Sequence, residues 1–404
     1  MNSEYTIQTA KEEALRCLMC SDAPCNSGCP AGVDVRRFIR KIRMDNIKGA
    51  IRQLRRGNVM AGSCAYICPS SDTCCKECSI KGLKEPIDIR GLQRFLMDYE
   101  RKFGMIEPIS HHKKSKKSVA IVGAGPAGLA CAADLSMKGY EVVIFDAAKV
   151  AGGMLSQVIP EFRLPKKVVG FDVEFIKKLG PTLRLGKMID DPRSLKKDFD
   201  AVFVACGLSK SKTPELKGVK LKGVYKALDF LRLAKAKKLK LKGRVVIIGG
   251  GDTALDCARV AKELKMESFL LYRRTQGQMP ASHEEILGAW NSGVEFYFRY
   301  LPKSILGNKK VEGIRGVRIC WQNKNKFVEE GTPFDIKCDS VVFAVGQDVE
   351  DQFGLRCAVN KVTTSEPGIF AGGDFVYGAS TAVGAVGSGK LAAIEIDKYL
   401  GMSS

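Results

Sequence analysis

The chain turns twice on one short glycine pattern, Gly123-Ala124-Gly125-Pro126-Ala127-Gly128 and Gly249-Gly250-Gly251-Asp252-Thr253-Ala254. Each turn lies between an apolar run, Val119–Val122 or Val245–Ile248, and an alanine-rich helical stretch. A strand, a tight glycine turn and a helix N-terminus aim free N–H groups and a partial positive charge at one place, which suits a pyrophosphate. In the first turn Gly123 permits the tight bend, Gly125 lets the backbone approach a phosphate, and Gly128 allows the helix to pack on the strand. Pro126 and Ala127 lie between them. The bare pattern is weak evidence. Here a second apolar strand, Glu141–Phe145, ends at Asp146, an acid placed to accept hydrogen bonds from a ribose, so the motif has its required context.

The second turn ends in Ala254 and leads into a helix expected over Leu255–Leu264; Gly249, Gly251, Asp252, Thr253 and Ala254 are its candidate nucleotide contacts. In the first unit the ribose acid follows the first glycine by 23 residues; the same count from Gly249 reaches Tyr272, followed by Arg273 and Arg274. An acid there would accept from a free 2′-hydroxyl and repel a 2′-phosphate, whereas two guanidiniums would clamp the phosphate. NADP(H) is therefore expected over NAD(H), which remains possible. One charge-assisted bond is worth about 1.5–3 kcal/mol, or roughly ten- to a hundredfold in affinity. The plainer alternative is two solvated arginines after a strand.

Short strands ending in glycine recur at Ala201–Gly207, Ser340–Gly346 and Gly368–Gly373. Alternating with helices, they predict a parallel, doubly wound α/β sheet. The last helix, expected over Thr381–Leu400, carries Gly384, Gly387 and Gly389 where close approach to a ligand would need small residues. Gly372-Gly373-Asp374 resembles the second FAD signature of two-dinucleotide flavoproteins, which implies FAD at the first turn with Gly373 and Asp374 on its ribityl side.

Of 15 cysteines, nine fall between Cys17 and Cys78, beside prolines and among segments with helical spacing such as Val35–Met44, Ile47–Arg56 and Gly91–Phe103. In a chain of 404 residues without a basic, apolar leader in Met1–Arg16, such clusters favour metal over disulfides, and a cytoplasmic setting is expected. The spacing Cys17-x2-Cys20-x4-Cys25-x3-Cys29-Pro30 lets successive thiols wrap one centre and ends as ferredoxin loops do. With Cys64, Cys68, Cys74, Cys75 and Cys78 as the second group, the spacings do not pair into two CxxC knuckles of a closed zinc set. Two [4Fe-4S] clusters are expected, with zinc or loose thiols as the alternatives. In two-cluster ferredoxins the fourth Cys of a run serves the other centre, and spacing leaves the sorting open here.

No stretch reaches 18 uninterrupted apolar residues, so no membrane span is expected. The net charge of +21 could serve nucleic acid, but the basic residues are scattered without interleaved aromatics, and nucleotide phosphates or an acidic partner account for it equally. No nucleic-acid partner is expected. His111, His112 and His283 are the only histidines and support no hydrolytic triad, and no CxxC lies near either glycine turn to act as a dithiol relay.

The segments CLMCSDAPCNSGCP, CAYICPSSDTCCKEC, VAIVGAGPAGLACA, GGMLSQVIPEFRLP, VVIIGGGDTALDCA with YRR, and IFAGGD, in this order over nearly the whole chain, resemble the family of the glutamate synthase small subunit and the N-terminal half of dihydropyrimidine dehydrogenase. The resemblance implies a helical two-cluster iron–sulfur domain (1–112), followed by two nested Rossmann-like domains: an FAD domain (113–206 and 347–404) and an inserted NAD(P)H domain (207–346). It implies one cluster on Cys17, Cys20, Cys25 and Cys78, a second on Cys29, Cys68, Cys74 and Gln93, and further FAD contacts at Gly153, Leu155 and Arg163. Gln93 matches the dihydropyrimidine dehydrogenase branch; the glutamate synthase branch carries Glu. PIDIRGLQRFLMDYERKFGM resembles the separate nicotinamide-binding subunit of bacterial dihydropyrimidine dehydrogenase. Electrons are then expected to pass between NAD(P)H and FAD and through both clusters to an FMN-containing catalytic subunit in a heteromeric complex. The other readings are an electron-input subunit of glutamate synthase and a non-enzymatic metal-bound scaffold. Cys75 has no role by resemblance, Cys64 reads as a packing thiol, and the arginine pair departs from a subunit usually described with NAD.

Overall fold

The computed structural model describes residues 5–105, 115–208, 211–323, 326–347, 353–357 and 361–401. His111 and His112, and much of the expected linker around them, lie outside these residues.

The N-terminal part is helical: α1 (Ile7–Leu15), α2 (Pro24–Ser27), α3 (Val35–Arg43), α4 (Ile47–Gly57), α5 (Ala61–Ile67) and α6 (Ile89–Phe103). Helix α3 buries Val35, Phe38, Ile39 and Ile42, and α4 buries Ile47, Ala50, Ile51 and Leu54, each set on one face at spacings of three and four. Asp34, Asn46 and Asp88 cap α3, α4 and α6, accepting from the backbone N–H of Arg37, Gly49 and Gly91 at 2.8–3.0 Å.

Next come β1 (Ser118–Val122), α7 (Pro126–Met137), β2 (Glu141–Asp146), α8 (Met154–Gln157), α9 (Lys166–Lys178), β3 (Thr182–Leu185) and β4 (Ala201–Val204). An insertion follows, with β5 (Val224–Lys226), α10 (Ala227–Lys235), β6 (Arg244–Ile248), α11 (Asp252–Glu263), β7 (Glu267–Tyr272), α12 (His283–Asn291), β8 (Glu295–Phe298), β9 (Tyr300–Leu306), β10 (Gly313–Trp321), β11 (Phe327–Lys337) and β12 (Ser340–Phe343). The chain then returns through β13 (Ile369–Ala371), α13 (Asp374–Tyr377) and α14 (Ala382–Tyr399).

Two compact units result. Residues 1–156, 161–208 and 349–404 make one, and residues 157–160 with 209–348 the other. The first holds a parallel sheet in the order β13-β4-β1-β2-β3; the second holds a parallel sheet in the order β5-β12-β6-β7-β8 and a separate antiparallel sheet, β11-β10-β9. Strands β1, β4, β6 and β12 are almost wholly buried apolar runs, as strands with both faces covered must be. The antiparallel sheet was not foreseen: in β11 nearly every residue is exposed, so no alternation marked it.

In the first unit a buried ionic network joins the helical part to the sheet part. Arg55 on α4 is 4 % exposed and donates to Glu100 of α6 at 2.9 Å and to Asp172 of α9 at 2.5 Å. Asp172 also accepts from Gly62 N–H, Ser63 N–H and Ser63 Oγ at the start of α5, at 3.2, 2.6 and 2.7 Å.

Candidate cofactor and cluster sites

In the first unit β1 runs into the glycine turn and Pro126 opens α7, where its missing N–H costs nothing. Gly123 has φ +115°, and a Cβ there would lie 2.3 Å from the Ala205 carbonyl oxygen. A Cβ on Gly128 would lie 1.9 Å from the Gly123 carbonyl oxygen, so this glycine is required by the helix packing. Gly125 differs: no atom of the protein lies within 4 Å of where its Cβ would be. Its small size answers to nothing in the chain itself, and it faces the open end of the strands, where a bound pyrophosphate would sit.

The other expected residues of this site gather around the turn. Asp146, at the end of β2, accepts from Ala124 N–H and Ala148 N–H, both at 2.7 Å, so its carboxylate is held beside the turn. A Cβ on Gly153 would lie 2.9 Å from Gly125 Cα, and one on Gly373 3.0 Å from Ala127 Cβ. Gly373 N–H donates to Ser388 Oγ of α14 at 2.8 Å, a partner that sequence reasoning missed. Asp374 accepts from Ser380 N–H and Oγ at 3.2 and 2.8 Å, and burial pushes its carboxyl up. Leu155 is a core residue, 2 % exposed, and Arg163 is half-buried. Two of the three glycines expected to admit a ligand along α14 have a different reason. Cβ atoms on Gly387 and Gly389 would strike the Pro30 and Ala127 carbonyl oxygens at 2.2 and 2.1 Å, so protein backbone demands both.

The second unit repeats the geometry. A Cβ on Gly249 would meet the Ala344 carbonyl oxygen at 2.3 Å, whereas the nearest atom to one on Gly251 is Pro280 Cγ at 3.9 Å. A cavity of about 640 Å³ opens here, lined by Gly249, Gly250, Gly251, Thr253, Tyr272, Arg273, Arg274 and the segment just after β12, residues 344–347. It lies where the order of β12 and β6 reverses, the usual place for a nucleotide in such a sheet. Arg273 and Arg274 thus face the same cavity as the glycine turn. Two expected residues do not line it: Ala254 is fully buried, and Asp252 accepts from Ser282 N–H at 2.9 Å.

Four of the thiols come together at one place. Cys17, Cys20, Cys25 and Cys78 surround one small cavity with Leu18, Arg36 and Ile80. Burial pushes the Cys25 thiol up to about 11, and the charges of Cys17, Cys78 and Cys20 add to the rise. Arg36 donates to the carbonyls of Cys20 and Ser21 at 2.9 Å, and Arg43 to that of Cys17 at 3.1 Å, fixing the loop. Cys29, four residues after Cys25, does not line this cavity. Burial pushes Cys68 up to about 11, Thr73 opposes this through a hydrogen bond, and Cys29 contributes charge; the Cys74 thiol is raised by its hydrogen bond with Cys75, then by burial, with Cys68 and Cys29 adding. Gln93 is 9 % exposed, one turn beyond Arg90, whose guanidinium donates to the Cys68 carbonyl at 3.2 Å. Among the described residues no three His, Cys, Asp or Glu side chains converge on a single metal ion. A four-iron cage is wider, since each thiolate bonds a different iron, so the four thiols around the first cavity fit it better than a closed zinc site.

Two switch-point glycine turns, each with an unfilled middle glycine, and the thiols packed in the first unit define a flavin- and nicotinamide-dependent oxidoreductase with iron–sulfur centres. Residues 117–389 match the family model described as pyridine nucleotide-disulphide oxidoreductase, and residues 1–105 match dihydropyrimidine dehydrogenase domain II, 4Fe-4S cluster. The chain belongs to this pyridine nucleotide-disulphide oxidoreductase family, joined to an iron–sulfur domain of the dihydropyrimidine dehydrogenase kind. It is 35% identical to the NAD-dependent dihydropyrimidine dehydrogenase subunit PreT of Escherichia coli K12, over 98% of this chain and 95% of that one. It is 36% identical to the NADP(+)-dependent formate dehydrogenase subunit beta of Moorella thermoacetica, over 94% of this chain and 60% of the relative. Among solved structures, FprA of Mycobacterium tuberculosis in complex with NADPH shares the fold at TM-score 0.60 and 17% identity, covering 71% of this chain and 85% of that one. No described helix is long and apolar enough to cross a membrane.

Proposed function

We propose that this chain is the electron-input subunit of a dihydropyrimidine dehydrogenase, taking electrons from NADP(H) in preference to NAD(H) and delivering them to a separate FMN-containing subunit that reduces the pyrimidine. The observation that carries the nucleotide part is the unfilled space at Gly125 and Gly251, beside two turns whose other glycines are demanded by the protein's own packing. Bound FAD would supply the chemistry that couples two-electron hydride transfer at the nicotinamide to one-electron transfer at iron–sulfur centres. In this reading Gly123, Gly125, Gly128, Asp146, Gly153 and Gly373 hold FAD, and the cavity with Thr253, Arg273 and Arg274 holds the dinucleotide. The two thiol sets, the second completed by Gln93, hold the clusters. The corresponding domains are 1–112, 113–206 with 347–404, and 207–346.

The pyrimidine assignment is supported by Gln93, in place of the Glu expected of the glutamate synthase branch, and by the relative of nearly equal length named a dihydropyrimidine dehydrogenase subunit. A second reading keeps the same module but gives it a different electron acceptor. The arginine pair favours it, because the Moorella relative is named for NADP(+) and the dihydropyrimidine dehydrogenase relative for NAD. The test is anaerobic purification with iron, sulfide and flavin quantified, NADPH and NADH titration followed in the visible spectrum, and assay with uracil plus an FMN subunit. Bleaching by NADPH with uracil reduced only when that subunit is present supports the first reading. Bleaching without uracil turnover removes it in favour of the second.

A further inference from the structure

The antiparallel sheet stands apart from the parallel sheet, but β9 lends Tyr300, Leu301 and Pro302 to the cavity wall and β10 sends one side chain to the arginine pair. Trp321, at the end of β10, donates from Nε1 to the Arg273 carbonyl at 2.7 Å. Its ring lies beside both guanidiniums, with Arg274 Cζ 5.2 Å and Arg273 Cζ 6.0 Å from the centroid. The ring is itself held, because Phe327 of β11 packs against it edge-on at 5.2 Å. The loop carrying the arginines is pinned a second time: Arg299 N–H donates to the Arg274 carbonyl at 3.1 Å, and Ile319 N–H of β10 donates to the Arg299 carbonyl at 2.9 Å.

Two guanidiniums side by side repel each other, and among the described residues neither is paired with a carboxylate. An aromatic face attracts a cation without neutralising it, so the indole holds both groups in place and leaves their charge for a ligand. Long side chains ordered before binding lose less entropy when the ligand arrives. A phosphomonoester dianion offers enough acceptor oxygens to engage both forks at once.

We propose that Trp321 sets the nucleotide preference of this cavity, by holding Arg273 and Arg274 as a preformed cleft for the 2′-phosphate of NADP(H). This rests on the NADP(H) reading above. It makes the antiparallel sheet, through one residue, the part of the chain that distinguishes the two dinucleotides.

The experiment is calorimetric titration of the holoprotein with 2′,5′-ADP and with 5′-ADP, for the unchanged chain, Trp321→Ala and Trp321→Phe. Trp321→Ala should weaken 2′,5′-ADP by roughly five- to a hundredfold, the cost of ordering two arginine side chains on binding rather than before it, and shift 5′-ADP by less than about twofold. Trp321→Phe keeps a ring but loses the Nε1 hydrogen bond, and should fall between. Binding of 5′-ADP reports that the cavity is intact in each variant. Equal weakening of both ligands would place the ring against the adenine or in the fold and overturn the proposal. A preference for 2′,5′-ADP that survives in both variants overturns the role of Trp321 alone. No preference in the unchanged chain overturns the NADP(H) reading, and this one with it.

Discussion

Gly125→Ala and Gly128→Ala place the same methyl group three residues apart, and the structure separates their effects. Gly125 has φ −80° and ψ −178°, open to any residue, and its added Cβ meets nothing. Without ligand the alanine is therefore neutral or stabilising, by up to about 1 kcal/mol through the unfolded chain. If a pyrophosphate lies against the turn, the methyl pushes it away and weakens at least one charge-assisted bond, about 1.5–3 kcal/mol, or roughly ten- to a hundredfold in FAD affinity. Gly128→Ala drives its Cβ to 1.9 Å from the Gly123 carbonyl oxygen, which forces α7 off β1. Overpacking of this kind costs about 1–3 kcal/mol whether FAD is present or absent, a fall of about 1–5 °C in Tm. The assay is FAD content from released-flavin fluorescence, with Tm by circular dichroism with and without added FAD. Normal FAD affinity in Gly125→Ala would show that no ligand approaches there. A flavin-free Tm as low as that of Gly128→Ala would show that packing explains both glycines.

Other variants probe the rest of the first unit. Asp172→Asn leaves buried Arg55 with one carboxylate and should cost about 3–5 kcal/mol in chemical denaturation; a loss under about 1 kcal/mol would mean the network opens to water. Asp134 on α7 has its carboxyl pushed up to about 6, chiefly by burial, against the lowering charges of Lys390 and Lys138. A raised carboxyl favours the folded state while protonated, so this contribution is full below about pH 4 and is lost as pH rises through 6. Asp134→Asn should therefore raise Tm by about 2–5 °C at pH 8 and change it little at pH 4; an equal shift at both values would remove the linkage. Gln93→Ala should lower iron content by up to about half and alter the reduced EPR spectrum while FAD stays bound. Unchanged iron and EPR would remove Gln93 as a ligand.

The glycine turns were legible because their chemistry is local: strand, bend, helix start and ribose acid all lie within Val119–Asp146, and steric limits on a few backbone angles dictate the rest. The capped helices α3, α4 and α6 were legible for the same reason, their apolar residues falling at helical spacing and ending within a residue or two of expectation. Gly387 and Gly389 of α14 misled, since a small residue looks alike in sequence whether a ligand or a carbonyl from another segment requires it.

By itself the sequence determined which local units form and which chemistry they carry: two dinucleotide turns, a cysteine-rich helical part, and a cationic pair where a ribose acid would otherwise stand. Tertiary structure alone decided which distant residues meet. Cys78 joins Cys17, Cys20 and Cys25 around one cavity; Asp172 reaches back to Arg55 and the start of α5; Trp321 of an unforeseen sheet comes to rest against Arg273 and Arg274. Backbone conformation follows from near neighbours, but meetings across many residues are set by how helices and sheets pack, which leaves no spacing in the chain to read.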